Sequence, residues 1–201
     1  MRKTNIAVFA SGTGSNFSAI VSAVKTGMIK ANIPLLICDN PEAPVIKKAV
    51  RAKIRVVVIA AKDFSDRDQF EKAIIEVLRG CGIDLIVLAG FMRILSPAFV
   101  KRYPSRIINI HPALLPSFKG AHAIRDAFEY GVKVTGVTVH FVDEKTDHGP
   151  VIMQEPVRIE NGQTLKRLGQ IIHKVEHRVY PRAIALLLRG RLRVRGRKVV
   201  C

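Results

Sequence analysis

The residues best suited to chemistry are Asn109 and His111, which lie two positions apart at the end of an apolar run. The run, Ile107–Ile110, is interrupted only by that Asn and reads as a short buried strand, which Pro112 ends abruptly. Side chains two positions apart leave a strand on the same face, so we expect the carboxamide and the imidazole to lie side by side. An imidazole can relay a proton, and a side-chain amide can donate to a developing oxyanion. The pair therefore predicts a site of polar chemistry.

Asp147 completes the set of residue types needed for acyl transfer to an amine. A carboxylate can orient a histidine, stabilise its protonated form or pass protons through water. The sequence has no GxSxG nucleophile elbow and no cysteine near His111, so direct attack by a substrate amine is favoured over a covalent enzyme intermediate. No HxH or HExxH spacing occurs, and we expect no metal. By type alone, four other histidines are equally open candidates: His140, His148, His173 and His177.

A glycine-rich turn, Ser11–Asn16, lies between the first predicted strand and the first predicted helix. This arrangement aims backbone N–H groups at an anion. Gly14 allows close approach of the backbone, and Ser15 and Asn16 can cap the helix or donate to a phosphate. The turn has neither the GxGxxG pattern nor a following Gly-Lys-Ser/Thr, so dinucleotide and P-loop binding are not supported. We favour a phosphate site here over a merely tight turn.

Strands and helices alternate along the chain, which predicts a mostly parallel sheet with helices on both faces. The predicted strands are Asn5–Ala10, Ile33–Cys38, Arg55–Ile59, Asp84–Gly90, Arg106–His111, Val134–Val142 and one that begins at Val151. The predicted helices are Phe17–Val24, Pro44–Ala52, one from a Ser65 or Asp66 cap to about Arg79, Ile124–Gly131 and Leu165–Leu188. A short loop joins the last two strands, which predicts an antiparallel hairpin. The expected fold is a single α/β domain whose ligands collect at the carboxyl ends of its strands.

Length and composition agree with one compact domain, because 201 residues with 48% hydrophobic content can bury a sizeable core. No apolar run approaches the roughly 20 residues that span a bilayer. The first residues lead directly into a strand without the pattern of a signal peptide. Three widely spaced cysteines, Cys38, Cys81 and Cys201, predict free thiols in a reducing compartment. We therefore expect a cytoplasmic protein.

The net charge of +17 is concentrated at the C-terminal end. Residues 166–201 contain eleven Lys or Arg and one acid, whereas residues 1–165 contain 22 and 15. A basic end can bind nucleic acid or phosphate, but the terminal arginines have no interleaved aromatic residues for stacking. We therefore expect solvated charge rather than a nucleic-acid partner. Arginine alternates with apolar residues and glycine between Arg191 and Val200, which predicts a small hairpin around Gly196.

Four motifs, in one order, closely resemble those of the phosphoribosylglycinamide formyltransferases, a folate-dependent family of purine synthesis. They are Ser11–Asn16, Leu88–Leu95, Ile108–Pro116, and Gly136–Glu144 with Asp147–Ile152. The resemblance extends to about Leu188 and implies the formyltransferase fold, with a Rossmann-like N-terminal half. It implies one domain over residues 1–201, with residues 190–201 as a short basic tail. It also implies that a monomer or homodimer transfers the formyl group of 10-formyltetrahydrofolate to the amine of glycinamide ribonucleotide (GAR).

The resemblance assigns a role to each motif residue. Asn109 would hold the oxyanion, His111 would donate a proton, and Asp147 would stabilise the protonated imidazole and pass protons through water. GAR would contact Gly14, Ser15, Asn16, Gly90, His173, Lys174, Val175 and Glu176, the first three through its phosphate and Glu176 through its amine or ribose. Folate would contact Arg67, Met92, Arg93, Ile94, Leu95, Asn109, Asp143, Glu144, Lys145, Thr146 and Asp147, with Arg67 on its acidic tail. Thr146 and Ala113 depart from the family pattern, which usually has a larger apolar residue and a Ser there.

Three other functions remain open. Methionyl-tRNA formyltransferases share the His-Pro-x-Leu-Leu-Pro stretch, and the net charge would suit tRNA, but they carry an additional C-terminal β-domain and lack the Ser11–Asn16 motif. Formyltetrahydrofolate deformylases are hydrolases with the same catalytic trio, and they usually carry a regulatory domain ahead of the first strand. A non-enzymatic module that binds nucleic acid or phosphate would rest on charge alone.

Overall fold

The computed structural model describes residues 3–190 and 192–200. Within them the strands are β1 (Thr4–Phe9), β2 (Ala31–Cys38), β3 (Arg55–Val58), β4 (Leu85–Leu88), β5 (Ile107–His111), β6 (Val134–Phe141), β7 (Val151–Arg158), β8 (Arg193–Arg195) and β9 (Lys198–Val200). The helices are α1 (Ser15–Lys25), α2 (Val45–Arg51), α3 (Arg67–Gly80), α4 (Pro97–Arg102), α5 (Ala123–Tyr130) and α6 (Leu165–Leu188), with a short 3-10 helix at Ala61–Asp63. Predictions that concern Met1, Arg2, Arg191 and Cys201 lie outside the described residues.

One sheet, in the order β3-β2-β1-β4-β5-β6-β7, organises the molecule. Strands β1 to β5 are parallel to one another, whereas β6 runs antiparallel to both β5 and β7. The chain goes from β1 outward to β2 and β3, and then continues on the other side of β1 with β4. The switch point therefore lies between β1 and β4, where ligand sites of such sheets form. The predicted α/β fold with an antiparallel hairpin is confirmed.

Two apolar cores cover the two faces of the sheet. Ile6 and Val8 of β1 lie in the core that α1, α2 and α6 complete, whereas Ala7 and Phe9 lie in the core of α3 and α4. Strands that are buried on both faces read as continuous apolar runs, which is why these strands could be located in the sequence. Helices cover both faces, as predicted.

One hydroxyl group attaches α6 to the middle of the sheet. Tyr180 is fully buried, and its hydroxyl lies 2.8 Å from the carbonyl oxygen of Leu88 and 3.2 Å from that of Ile108. Burial raises the pKa of Tyr180 well above its usual value, so the group remains a donor. These contacts fix α6 beside the last residue of β4 and the residue before Asn109 in β5.

A separate two-stranded sheet, β8 with β9, follows α6. Arg195 pairs with Lys198, and Gly196 between them has a φ of 60°, which suits the turn. The predicted hairpin around Gly196 is thus confirmed over residues 193–200. No helix in residues 3–190 and 192–200 has the length and apolar content needed to span a membrane.

Candidate active site

A cavity of about 530 Å³ opens at the switch point, between the turn after β1, the segment after β4, the end of β5 and one face of α6. Its remaining wall is the stretch Asp143–Asp147, here called the acidic loop. Most of the residues that the sequence singled out line it: Gly14, Ser15, Asn16, Gly90, Met92–Leu95, Asn109, His111, the acidic loop, His173 and Glu176. Arg67, Lys174 and Val175 do not.

His111 lies deep in this cavity with acceptor oxygens at both ring nitrogens. Its Nε2 is 2.7 Å from the carbonyl oxygen of Phe118, and its Nδ1 is 3.4 Å from Oδ2 of Asp147. The carbonyl oxygen is placed to accept from Nε2, and the carboxylate of Asp147 lies at ion-pair distance from Nδ1. The backbone N–H of Gly120 also donates to Asp147 Oδ2, at 2.8 Å, and holds the carboxylate in place. The surroundings of His111 therefore suit a proton donor.

Asn109 is oriented by His140, its direct partner in the β5–β6 register. Burial lowers the pKa of His140, so its ring is neutral, and its Nδ1 donates to the carbonyl of Phe141 at 2.8 Å. The other nitrogen, Nε2, is then an acceptor and lies 3.3 Å from Nδ2 of Asn109. One amide hydrogen of Asn109 is thereby used, and the second remains for a ligand.

The turn after β1 presents the N-terminus of α1 to the cavity. Gly14, at the N-cap, has a φ of 69°, and a Cβ there would lie 2.3 Å from the side chain of Val45. Both the backbone conformation and the close packing therefore require glycine. No side chain caps α1, and its first turn contains no acid. The exposed N–H groups and the helix dipole favour an anion at this end.

Glu176 lies on α6 at the side of the cavity next to this turn, and it is buried. Asn16 Nδ2 donates to its Oε2 at 3.1 Å, and His173 Nδ1 contacts the same oxygen at 2.9 Å. This hydrogen bond raises the pKa of His173. Oε1 of Glu176 receives no donor from the described residues, and Oδ1 of Asn16 is buried without a partner among them. Both atoms can accept from a bound amine or hydroxyl.

The apolar wall of the cavity is Met92–Leu95, and its position is fixed from two sides. Ser11 Oγ accepts a hydrogen bond from the backbone N–H of Met92 at 2.8 Å, which joins this wall to the turn after β1. Arg93 pairs with the buried Asp39 at 3.1 Å. The side chains of Met92 and Ile94 are each 68% exposed, an unusual exposure for large apolar groups that suits a flat apolar ligand.

The buried Glu71 fixes the C-terminal end of this wall, next to Leu95. Glu71 accepts from both the backbone N–H and the hydroxyl of Ser96, and Arg67 Nε lies 3.3 Å from it. Arg67 Nη2 also donates to the carbonyl of Ile94 at 2.8 Å. Arg67 thus lies at the rim of the cavity, although it does not line it.

Lys174 and Val175 lie away from the cavity because of helical geometry. His173 and Glu176 are three residues apart and share one face of α6, whereas the two residues between them point elsewhere. Val175 is buried in the core with α1, and Lys174 is exposed. Within residues 3–190 and 192–200, no group of three or more His, Cys, Asp or Glu could hold a metal ion.

Similarity to known proteins agrees with this geometry. A family model described as formyl transferase matches residues 4–184. The chain is 47% identical to phosphoribosylglycinamide formyltransferase of Bacillus subtilis over 182 residues, which are 90% of this chain and 93% of that protein. It is also 40% identical to the human trifunctional purine biosynthetic protein adenosine-3. That match covers 100% of this chain and 20% of the human protein.

Solved structures give the same result. Glycinamide ribonucleotide transformylase 1 from Symbiobacterium toebii superposes with a TM-score of 0.95 at 40% identity, covering 98% of this chain and 93% of that one. A formyltetrahydrofolate deformylase from Pseudomonas syringae superposes at 0.92 but is only 26% identical, covering 99% of this chain and 66% of that one. The chain therefore belongs to the formyl transferase family, among its phosphoribosylglycinamide formyltransferases.

Proposed function

We propose that the chain transfers the formyl group of 10-formyltetrahydrofolate to the amine of GAR, giving formyl-GAR and tetrahydrofolate in purine biosynthesis. The observation that carries this proposal is the position of Asn109, His111 and Asp147 between an anion-binding helix end and an apolar wall. A phosphorylated amine fits on one side of the trio and a flat folate on the other. A cytoplasmic location stays a prediction, which the free thiols of Cys38 and Cys81 support.

In the proposed reaction the GAR amine attacks the formyl carbon, and the formyl oxygen becomes negatively charged. Asn109 donates its second amide hydrogen to that oxygen. The bond between the formyl carbon and N10 of the folate then breaks. His111 supplies a proton to N10, while the attacking nitrogen loses one through water to Asp147. No covalent intermediate on the protein is needed.

The turn after β1 would bind the GAR phosphate. Backbone N–H groups of the first turn of α1, with the side chain of Ser15, can donate to its oxygens. From this anchor the glycinamide end of GAR extends along α6. The buried Asn16 Oδ1 and the unpartnered Oε1 of Glu176 then accept from its N–H or hydroxyl groups.

The folate would lie between Met92–Leu95 and the acidic loop. The pterin is flat and apolar on its faces, which suits the exposed Met92 and Ile94. Arg67, at the rim, would meet the acidic tail, since a guanidinium can bind a carboxylate through two parallel hydrogen bonds.

An assay of the purified protein with 10-formyltetrahydrofolate and three acceptors tests the proposal: GAR, methionyl-tRNA and water. We expect formyl-GAR as the product. Formyl-methionyl-tRNA would identify a tRNA enzyme instead, and formate without acceptor a deformylase. Absence of turnover with all three would overturn the enzymatic assignment.

Replacing Asp147 by Asn should lower kcat by about 10- to 100-fold, because a carboxylate within about 4–6 Å of an imidazolium stabilises its charged form by roughly that factor or more. Because His111 acts as the proton donor, activity falls as its imidazole deprotonates, so the alkaline limb of the pH–rate profile should move to lower pH in the variant. Both quantities come from steady-state rates measured between pH 5 and 9.

Asp126→Asn is the matched control, because it makes the same change at an exposed aspartate of α5 that does not line the cavity. Its effect on kcat should be small. An unchanged pH profile in Asp147→Asn would contradict the electrostatic role.

Omission of the phosphate from GAR should raise KM for the acceptor by about 100-fold or more. Hydrogen bonds to a charged group are each worth roughly 1.5–3 kcal/mol, and every 1.4 kcal/mol is tenfold. The measurement compares glycinamide riboside with GAR at saturating 10-formyltetrahydrofolate. KM for the folate should stay unchanged, and equal KM values for the two acceptors would refute the phosphate site.

A further inference from the structure

The basic hairpin of β8 and β9 lies against the back of the acidic loop. Arg197, in the turn between the two strands, donates from Nη2 to the backbone carbonyl of His148 at 2.7 Å. Its Nη1 lies 2.9 Å from Nε2 and 3.3 Å from Nδ1 of the same histidine, and therefore faces both ring nitrogens. His148 follows Asp147 directly in the chain, so Arg197 contacts the residue next to one of the three candidate catalytic residues.

The contact continues into the acidic loop through side-chain hydrogen bonds. His148 Nδ1 lies 2.6 Å from Oδ2 of Asp143. The other oxygen of Asp143 accepts from the backbone N–H of Lys145 at 3.0 Å. A series of hydrogen bonds thus runs from Arg197 through His148 and Asp143 to the middle of the loop.

A shared groove also places the hairpin beside this loop. Val194 of β8 lines a small groove together with Val142 and the first residues of the acidic loop, Asp143 and Glu144. The space at the end of the loop is tight, because a Cβ on Gly149 would lie 1.9 Å from the carbonyl oxygen of Phe141. Backbone packing at Gly149 therefore fixes the C-terminal end of the loop, and the hairpin contacts the loop on the side away from the cavity.

We propose that the C-terminal hairpin positions the acidic loop for folate, with Arg197 as the positioning residue. This inference rests on the proposed function, because it assigns the loop to the folate side of the cavity. Arg197 is exposed, and its hydrogen bonds among the described residues all go to His148, which does not line the cavity, so it acts through His148 and Asp143. The arginine-rich tail thereby has a role that does not require a polyanionic partner.

Arg197→Ala should raise KM for 10-formyltetrahydrofolate by roughly three- to tenfold, the loss of about one net hydrogen bond. KM for GAR should stay unchanged and kcat should stay within about twofold. Amide hydrogen exchange over residues 143–149, measured without substrates, should become faster in the variant. Arg197→Lys keeps the charge but lacks the planar guanidinium that reaches both groups of His148. Its KM for folate and its exchange rate should lie between those of the parent and of Arg197→Ala.

Arg195→Ala is the matched control, because it removes the same charge from the same hairpin and its side chain contacts no acceptor among the described residues. It should match the parent in KM and in exchange. Equal behaviour of Arg197→Ala and Arg195→Ala in both measurements overturns the inference, as does a parallel rise in KM for GAR. Failure of the parent to formylate GAR would overturn the proposed function instead, and the exchange comparison would still decide whether Arg197 holds the loop.

Discussion

Replacing His111 by Ala should lower kcat by about 10² to 10⁴, the usual contribution of a positioned general acid or base. The ring is almost fully buried, and both of its nitrogens face acceptors on Phe118 and Asp147. Ala provides no proton for N10 of the departing folate, and solvent water reaches this position poorly. Steady-state rates with GAR and 10-formyltetrahydrofolate, each at saturation, measure the loss.

His177→Ala is the control for this variant, because His177 is a half-buried histidine of α6 that does not line the cavity. Its kcat should match that of the parent. KM values of His111→Ala should change little, since the proton is needed in the transition state rather than for binding. A rate near that of the parent would remove His111 from the mechanism.

Replacing Asn109 by Ala should lower kcat by about 10² to 10³, the cost measured when one oxyanion donor is lost elsewhere. The amide is held by His140, so its free hydrogen points in a fixed direction before substrate binds. This preorganisation is why a single neutral donor can have so large an effect. Single-turnover rates of formyl transfer measure it without interference from product release.

Asn32→Ala removes the same group near the start of β2, at the opposite end of the parallel strands, and should leave kcat unchanged. The double variant of Asn109 and His111 gives a second test. Groups that act in one transition state are not additive, so the double variant should lose less than the product of the two single losses. Fully additive losses would indicate that the two residues act in separate steps.

Regular elements could be located from the sequence because their physical signals are local. Asp66 caps α3 by accepting from Gln69 at 2.8 Å, and α6 spans the predicted Leu165–Leu188. Helix α4 was missed: it has only six residues, and apolar periodicity over so short a segment is weak. The signals that mark it are a Ser96 cap and a proline in the first turn.

The candidate site was only partly predictable for a different reason. Asn109 and His111 are two apart on one strand, so a period of two places them together without knowledge of the fold. His140 is brought to Asn109 by the register of β5 with β6, and the sequence of neither strand specifies that register. The carbonyl of Phe118 and the N–H of Gly120 are backbone groups, which residue types do not reveal.

The single hydroxyl of Tyr180 has a consequence for how the protein loses activity. This hydroxyl is hydrogen-bonded to the carbonyl groups of the last residue of β4 and of the residue before Asn109 in β5. Tyr180 also lies one turn from Glu176 on α6. The strand ends that carry the site are thus part of the same buried contact that attaches the longest helix. The site and the core should melt as one cooperative unit, so heat inactivation should coincide with global unfolding rather than precede it.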